Sequence, residues 1–523
     1  MQSDMILTNG NIITMNPKQP KAHAIAILKD KIVAVGTNEE VKKLADKTTK
    51  IIDLRRKTVV PGLIDTHVHM LGFGASLNNL NLRNVTSVKE LQQKLQEQAK
   101  KTPEGKWILG GRWDQEKFKE KRYPTRFDLD KVTPKNPVFL RRVCGHTCVV
   151  NTKALQIAGI TKKTRIPKGG KIDIDPKTEE LTGILSENAM DLIEKAIPKP
   201  NEEEMEQLCL LACQKAAAEG LTTVHWIVGS PTEIETIQRL GANGKLPIRV
   251  YILIPVEFME HLIELGLQTG FGDNVIKIGS IKILTDGSLG ARTAALTQPY
   301  SDEPETRGMT LYTQEELFKL VKKAYEANLQ LAIHAIGDKA VGMTLTAIER
   351  ALTKSPRKNL RHRIEHASVL NEKLIERIKK LNLIASVQPH FTISDFWTIN
   401  RLGTKRARWT YPFKKLMHKG ILTTGSSDCP VEPISPLRGI YAAVTRKENQ
   451  AEKITVNEAL RMYTINAAFA SFEENIKGSI EVGKLADLTV LSHDLERISP
   501  MEVKNIEVEM TIVDGKIAYT KPM

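Results

Sequence analysis

Val59-Val60-Pro61-Gly62-Leu63-Ile64-Asp65-Thr66-His67-Val68-His69 is an apolar run that contains a Pro-Gly step and closes on two histidines. Such a run predicts a buried strand whose last residues emerge at the end of a sheet. Side chains alternate faces along a strand, so His67 and His69 point the same way and can grip one ion together, whereas on a helix they would diverge. Neutral imidazole is the commonest protein ligand for zinc-like cations, and a catalytic site uses few such ligands so that water keeps a place on the metal. Alone, a His-x-His pair does not separate a metal site from two hydrogen-bonded histidines.

Working outward, further strand-like runs fall at 221–226, 249–254, 278–284, 330–334, 361–366, 383–388 and 421–425, which with the opening run makes eight. Several are followed by amphipathic helical stretches, such as 313–327 and 371–381. Strand and helix alternating eight times predicts an α/β fold, a (β/α)8 TIM barrel. Residues 6–15 and 24–35 are strand-like, broken by Asn9-Gly10 and Asp30-Lys31, which is hairpin chemistry. The far end repeats the style at 485–491, 506–513 and Asp514-Gly515-Lys516-Ile517. The two ends, 1–58 and 475–523, are therefore expected to pair into one β-sandwich, with the barrel domain 59–474 inserted between them. The stretch from about 72 to 200 does not fit the repeat. It is read as a large insertion after the first barrel strand, with its own strands near 107–111 and 138–143, on the mouth side of the barrel.

A chain of 523 residues with 41% hydrophobic and 26% charged residues has the composition of a soluble globular protein. No apolar run approaches a membrane span and the amino terminus lacks a secretory signal, so the expected location is cytoplasmic. Five cysteines argue against a disulfide framework. The formal charge of +15 raises nucleic-acid binding. However, the lysines are spread and mixed with acidic and amide residues, as in Val88-Lys89-Glu90-Leu91-Gln92-Gln93-Lys94, and read as solvated faces. The expected partner is a small molecule, with neither nucleic acid nor membrane, and a homodimer is left open.

In a barrel of this kind the active site lies at the carboxyl ends of the strands. The polar residues there are His67 and His69 on the first, Lys282 on the fourth, His334 on the fifth, His366 on the sixth and Asp428 just beyond the eighth. Simpler roles exist for each: Lys282 as an ammonium paired with Asp286 or Asp428, His334 and His366 as structural histidines, and Asp428 as a turn cap in Ser-Ser-Asp-Cys-Pro.

With these residues in view the chain resembles the amidohydrolase superfamily of metal-dependent hydrolases, in particular the YtcJ-like branch that includes N-substituted formamide deformylases. The resemblance spans nearly the whole chain. It is carried by the run at 61–69, His146-Thr147-Cys148-Val149-Val150-Asn151, Lys282-Ile283-Leu284-Thr285-Asp286-Gly287-Ser288-Leu289-Gly290, Ile333-His334-Ala335-Ile336-Gly337-Asp338, Ile364-Glu365-His366-Ala367, Gly425-Ser426-Ser427-Asp428 and Gly483-Lys484-Leu485-Ala486-Asp487-Leu488. It implies that His67 and His69 bind a buried divalent metal, zinc by expectation, with Asp428 contributing and acting as base. His334 and His366 would bind a second ion, and Lys282 would bridge the two as an N6-carboxylysine. Burial favours the neutral amine that adds carbon dioxide. The same ligands accept manganese, iron or cobalt.

The implied reaction is attack of metal-activated hydroxide on an amide-like carbon, cleaving a C–N bond. Asp428 takes the water's proton and returns it to the leaving nitrogen. Deamination or ester hydrolysis would use the same centre, and a silent scaffold that keeps the barrel is the alternative outside catalysis. Substrate-contact candidates are His146, Asp286, Arg292, Trp113 and His225, with Trp226, Phe391 and His390 as further lining residues. Arg292 and the glycine amides of its loop could face an anionic group, or Arg292 could close a salt bridge. Cys144-x-x-x-Cys148 and Cys209-x-x-x-Cys213 mimic halves of a zinc site, but the second pair has helical spacing on an apolar face. Cys429 has no necessary task beside a metal-activated water.

Overall fold

In the computed structural model, which describes residues 2–142, 147–167, 170–354 and 360–522, the run at 59–69 is divided between two sheets. Thr58–Pro61 belongs to a six-stranded sheet, and Leu63–Val68 (β1) opens an eight-stranded parallel one. The expectation of one continuous strand fails at Gly62 for a steric reason. A Cβ there would sit 2.2 Å from Thr222 Oγ1, and the Gly62 N–H donates to the Asp487 carbonyl at 2.8 Å. Glycine alone allows this close approach, and the chain uses it to leave one sheet for the other.

Seven strands follow in chain order: Leu221–Ile227 (β2), Arg249–Pro255 (β3), Ile276–Leu284 (β4), Gln330–Ala335 (β5), Arg363–His366 (β6), Ile384–Val387 (β7) and Thr423–Gly425 (β8). Each pairs in parallel with the strand before it. Their near-continuous burial is what a sheet covered on both faces requires. At the seam between β8 and β1, the Thr66 hydroxyl donates to the Gly425 carbonyl (3.1 Å) and the Asp428 N–H to the His67 carbonyl (2.9 Å). Helices fill the connections, among them Gln314–Glu326 between β4 and β5, Asp338–Lys354 between β5 and β6, and Glu372–Lys380 between β6 and β7. In the first of these, Leu317, Phe318, Val321, Ala324 and Tyr325 form one buried stripe at helical spacing, and Thr313 with Glu316 closes a capping box. The result is the (β/α)8 barrel.

Both ends of the chain build a β-sandwich against it. One sheet runs Lys31–Gly36, Ala24–Leu28, Met5–Thr8, Lys50–Asp53. The other runs Lys516–Thr520, Val508–Val513, Leu488–Leu491, Thr58–Pro61, Asn11–Ile13, Lys21–Ala22, so amino- and carboxyl-terminal strands share it. Leu7, Ile25, Ile27, Val59, Leu488, Val490 and Ile512 pack as one apolar cluster drawn from both sheets. The break at Lys29-Asp30 makes a true antiparallel hairpin. Asn9-Gly10 does not: Met5–Thr8 and Asn11–Ile13 lie in different sheets, and Asn9, at φ 55°, turns a corner between them. Asn tolerates the left-handed region in either setting, so the residue type did not discriminate.

The chain divides into two compact units, one of residues 1–73 with 205–523 and the other Gly74–Glu204. The second is built on a sheet ordered Lys171–Ile174, Leu181–Ser186, Thr147–Val150, Val138–Arg142, Ile108–Trp113, Leu80–Asn81. Its residues alternate between two apolar clusters, one holding Trp113, Leu140, Val149 and Ile184, the other Phe139, Cys148, Val150 and Leu185. Cys209 and Cys213 are buried on the helix Glu202–Ala218, and burial pushes both thiols up, Cys209 to about 12. Cys144 lies outside the described residues. No helix among the described residues is long and apolar enough to cross a membrane.

Candidate metal centre

The barrel strands bring ligand-type side chains from β1, β4, β5, β6 and the residues after β8 to one end. His67, buried near the end of β1, and His69, just past it, both approach Asp428: His67 Nε2 lies 3.4 Å and His69 Nε2 3.3 Å from Asp428 Oδ1. Among the described residues these three form the cluster able to hold a metal ion, with one ligand atom from each all within 4.8 Å. Lys282 Nζ lies 3.1 Å from His67 Nε2. The His366 ring centroid is 4.9 Å from that of His67 and 4.4 Å from that of His334.

Backbone conformation explains how β6 delivers its histidine. Strict alternation would put Glu365 and His366 on opposite faces, yet both meet His67. His366 has φ 72° and Ala367 φ 46°, a left-handed step that breaks the alternation and turns the imidazole inward. Asp428, at φ 55°, is turned in the same way after β8. Such conformations in non-glycine residues are strained and gather where side chains must be aimed.

Hydrogen bonding fixes which nitrogen each ring offers. The Glu365 carboxylate can only accept, so His67 Nδ1, 2.5 Å from Glu365 Oε2, carries the proton and Nε2 keeps its lone pair. The Ser426 hydroxyl donates to the Val387 carbonyl and accepts from Gln388 Nε2, which leaves Gln388 Oε1 to accept from His366 Nδ1 at 2.7 Å. His334 Nε2 donates to the Gly287 carbonyl at 3.0 Å, which leaves Nδ1 as the nitrogen that could serve a ligand role. Rings each anchored through one nitrogen, with a carboxylate beside His67 and His69, suit divalent cations of the zinc type. This is how the donor set fits a metal.

The electrostatics agree. Burial, with Lys282 next, lowers His67 well below the ordinary histidine range; burial, with His334 and His67, does the same to His366. Both rings are neutral, as ligands must be. Burial pulls Lys282 down to about 8 against the raising influence of Glu365 and Asp428. Burial alone would raise Asp428, but its hydrogen bond to His69 and the nearby His67 and Lys282 hold it below the usual carboxylate range. Asp65 is pushed up to about 7 by burial. Its Oδ1 accepts from the backbone N–H of His67 (3.1 Å) and of Ser427 (3.2 Å), tying β1 to the segment that carries Asp428.

The softer candidates are placed elsewhere. Asp286 is buried and accepts from the N–H groups of Ala295, Ile336 and Gly337, with Oδ1 also 3.4 Å from His334 Nε2, so it organises the loops after β4 and β5 beside that ring. Lys282 therefore does not take Asp286 as its partner. Arg292 is held by Asp302 (3.0 Å) and Glu303 (3.1 Å), the salt-bridge outcome. Trp113 is a core residue of the Gly74–Glu204 unit and donates to the Leu140 carbonyl. His225 is buried inside the barrel, where its Nδ1 accepts from Arg363 at 2.7 Å. Trp226 is likewise buried, donating to Glu233 at 2.6 Å. His390 pairs with Glu432 at 2.5 Å, and the Phe391 ring stacks parallel to His366 at 6.3 Å. His146 lies outside the described residues.

Glu365, Arg363, Asp65 and Gln388 went unnoticed in the sequence. The signal for the first two was present: Arg363 and Glu365 sit two apart in a strand, so two opposite charges share one face and, once buried, need each other.

The amidohydrolase family model matches residues 50–519. The chain is 36% identical to YtcJ of Bacillus subtilis (strain 168), over 98% of each protein. It is 28% identical to the N-substituted formamide deformylase of Arthrobacter pascens, over 99% of this chain and 98% of that one. Among solved structures it is similar to an uncharacterized metal-dependent hydrolase from Pyrococcus furiosus, with a TM-score of 0.81 and 31% identity over 94% of this chain and 100% of that one. With a barrel whose mouth gathers imidazoles around a carboxylate, and a family match across nine-tenths of its length, this chain belongs to the amidohydrolase family.

Proposed function

We propose that the protein hydrolyses a C–N bond in a small amide-like substrate at a divalent-metal centre in the barrel domain 59–474, with Asp428 as general base. The observation that carries this reading is the convergence of His67 Nε2 and His69 Nε2 on one oxygen of Asp428. His67, His69 and Asp428 would hold one ion, zinc by preference, and Lys282, His334 and His366 a second. When bound, the metal supplies polarisation of the scissile carbonyl and a water acidic enough to attack at neutral pH.

The rest falls to side chains. Asp428 is held as a carboxylate, so it is able to accept the proton of the attacking water and then pass it to the departing nitrogen. Lys282, its buried amine 3.1 Å from His67 Nε2 and lowered to about 8 by burial, would form an N6-carboxylysine: nitrogen adds to carbon dioxide, a C–N bond forms and one proton leaves. That the Arthrobacter pascens relative is named for deformylating N-substituted formamides supports C–N cleavage over ester hydrolysis.

Elemental analysis of metal content, paired with hydrolysis assays on wild type and Asp428→Asn, tests the reading. The variant is expected to keep most of its metal through His67 and His69 while turnover falls roughly 10²- to 10⁴-fold. Full activity in Asp428→Asn would remove the assigned base.

A further inference from the structure

Arg363 and Glu365 are fully buried in the barrel interior, below the residues that face its mouth. A guanidinium so enclosed needs a counter-ion, and the strongest arrangement would be the two-pronged fork in which both carboxylate oxygens face the guanidinium. That is not what is found. Arg363 meets Glu365 through Nε alone, at 2.7 Å to Oε1. It directs NH1 to His225 Nδ1 (2.7 Å) and NH2 to the Thr66 carbonyl (2.6 Å) and the Ser386 hydroxyl (3.3 Å). The second carboxylate oxygen, Oε2, is thereby kept for His67 Nδ1 at 2.5 Å. Arg363 thus holds β1 twice: at the Thr66 backbone, and through Glu365 at the ring of the next residue.

We infer that Glu365, oriented by Arg363, is a positioning residue that sets the tautomer of His67, keeping the proton on Nδ1 so that Nε2 faces the metal centre bare. The inference rests on His67 being a metal ligand, as proposed above. It makes an asymmetric prediction for Glu365→Gln, which preserves shape and volume. The amide oxygen must stay toward Arg363, because an amide N–H there would oppose the guanidinium N–H. The amide nitrogen then faces His67 Nδ1 as a donor, Nδ1 must accept, and the ring proton moves to Nε2, the nitrogen that should bind metal. A residue that merely filled space or neutralised Arg363 would not move that proton.

The test uses full-length protein labelled with ¹⁵N-histidine, with the His67 signal assigned by its loss in His67→Gln. In metal-free wild type, nitrogen shifts should show Nδ1 protonated and Nε2 bare, and in Glu365→Gln the reverse. Zinc titration against a chromophoric chelator should show affinity falling roughly 10- to 100-fold in Glu365→Gln. Unchanged zinc affinity in a folded Glu365→Gln, or an Nε2-protonated ring in wild type, overturns the inference, and the wild-type measurement decides even where the variant fails to fold. Wild type that binds no zinc while His67 shows the expected tautomer would instead sink the metal reading and leave the role of Glu365 in place.

Discussion

His366 is held by a neutral amide, and Gln388 is in turn held by Ser426, so the ring's orientation depends on two buried residues behind it. Replacing Gln388 with Leu leaves Nδ1 of His366 without its buried acceptor. Divalent-metal binding at the His334–His366 end is expected to weaken roughly 10- to 100-fold, read by metal titration, with the fold kept as judged by circular dichroism. At this scale the sequence was informative about ligand-type residues and uninformative about those that orient them. The candidate ligands stand at strand ends, where a lone polar residue after an apolar run is conspicuous. Gln388 and Asp65 act through geometry that only the closed ring creates. At Asp286 and Arg292 the glycine-rich loop with two charges reads as an anion cradle or a salt bridge, and the structure gives Arg292 the salt bridge while Asp286 accepts backbone N–H groups from the loops after β4 and β5.

Among the elements, β1 is the most constrained, because it starts where the chain changes sheets. Gly62→Ala would drive a methyl group to within 2.2 Å of Thr222 Oγ1 and 2.4 Å of its Cγ2, both buried on β2. The substitution is expected to cost about 1–3 kcal/mol in denaturant unfolding, with partial recovery when Thr222→Ala is added, since most of the crowding comes from that side chain. Strands β2 to β7 were legible to within about two residues because buried parallel strands are written as short apolar runs between polar helices. The sandwich was legible only as β-rich ends. Alternation tells which residues face inward but not which sheet receives a strand, and so the corner at Asn9 passed for a hairpin.

For the molecule as a whole, ion pairs at the starts of the barrel strands, away from the candidate metal ligands, connect distant parts of the chain. Glu473 receives Lys277, at the start of β4, at 2.8 Å, and Lys477 at 2.6 Å; Lys477 also donates to Thr223 of β2. Burial would raise the Glu473 carboxyl, but Lys477 and Lys277 hold it down at about 2. The folded state therefore binds fewer protons than the unfolded chain between the ordinary glutamate value and about 2. The stabilisation is complete above that window and is lost as pH falls through it. Glu473→Gln should lower stability at neutral pH by on the order of 3 kcal/mol and flatten the decline of melting temperature with acid below about pH 4.5. An unaltered acid profile would show the pair contributes nothing. Finally, the seam between β8 and β1 has a consequence for biosynthesis. Ser427 reaches back 362 residues to Asp65, so a nascent chain carries His67 and His69 long before Asp428 is made. The ring and the proposed cation site are therefore completed together, and a ribosome-stalled fragment stopping short of Thr423, without the eighth strand, should capture no zinc at His67 and His69.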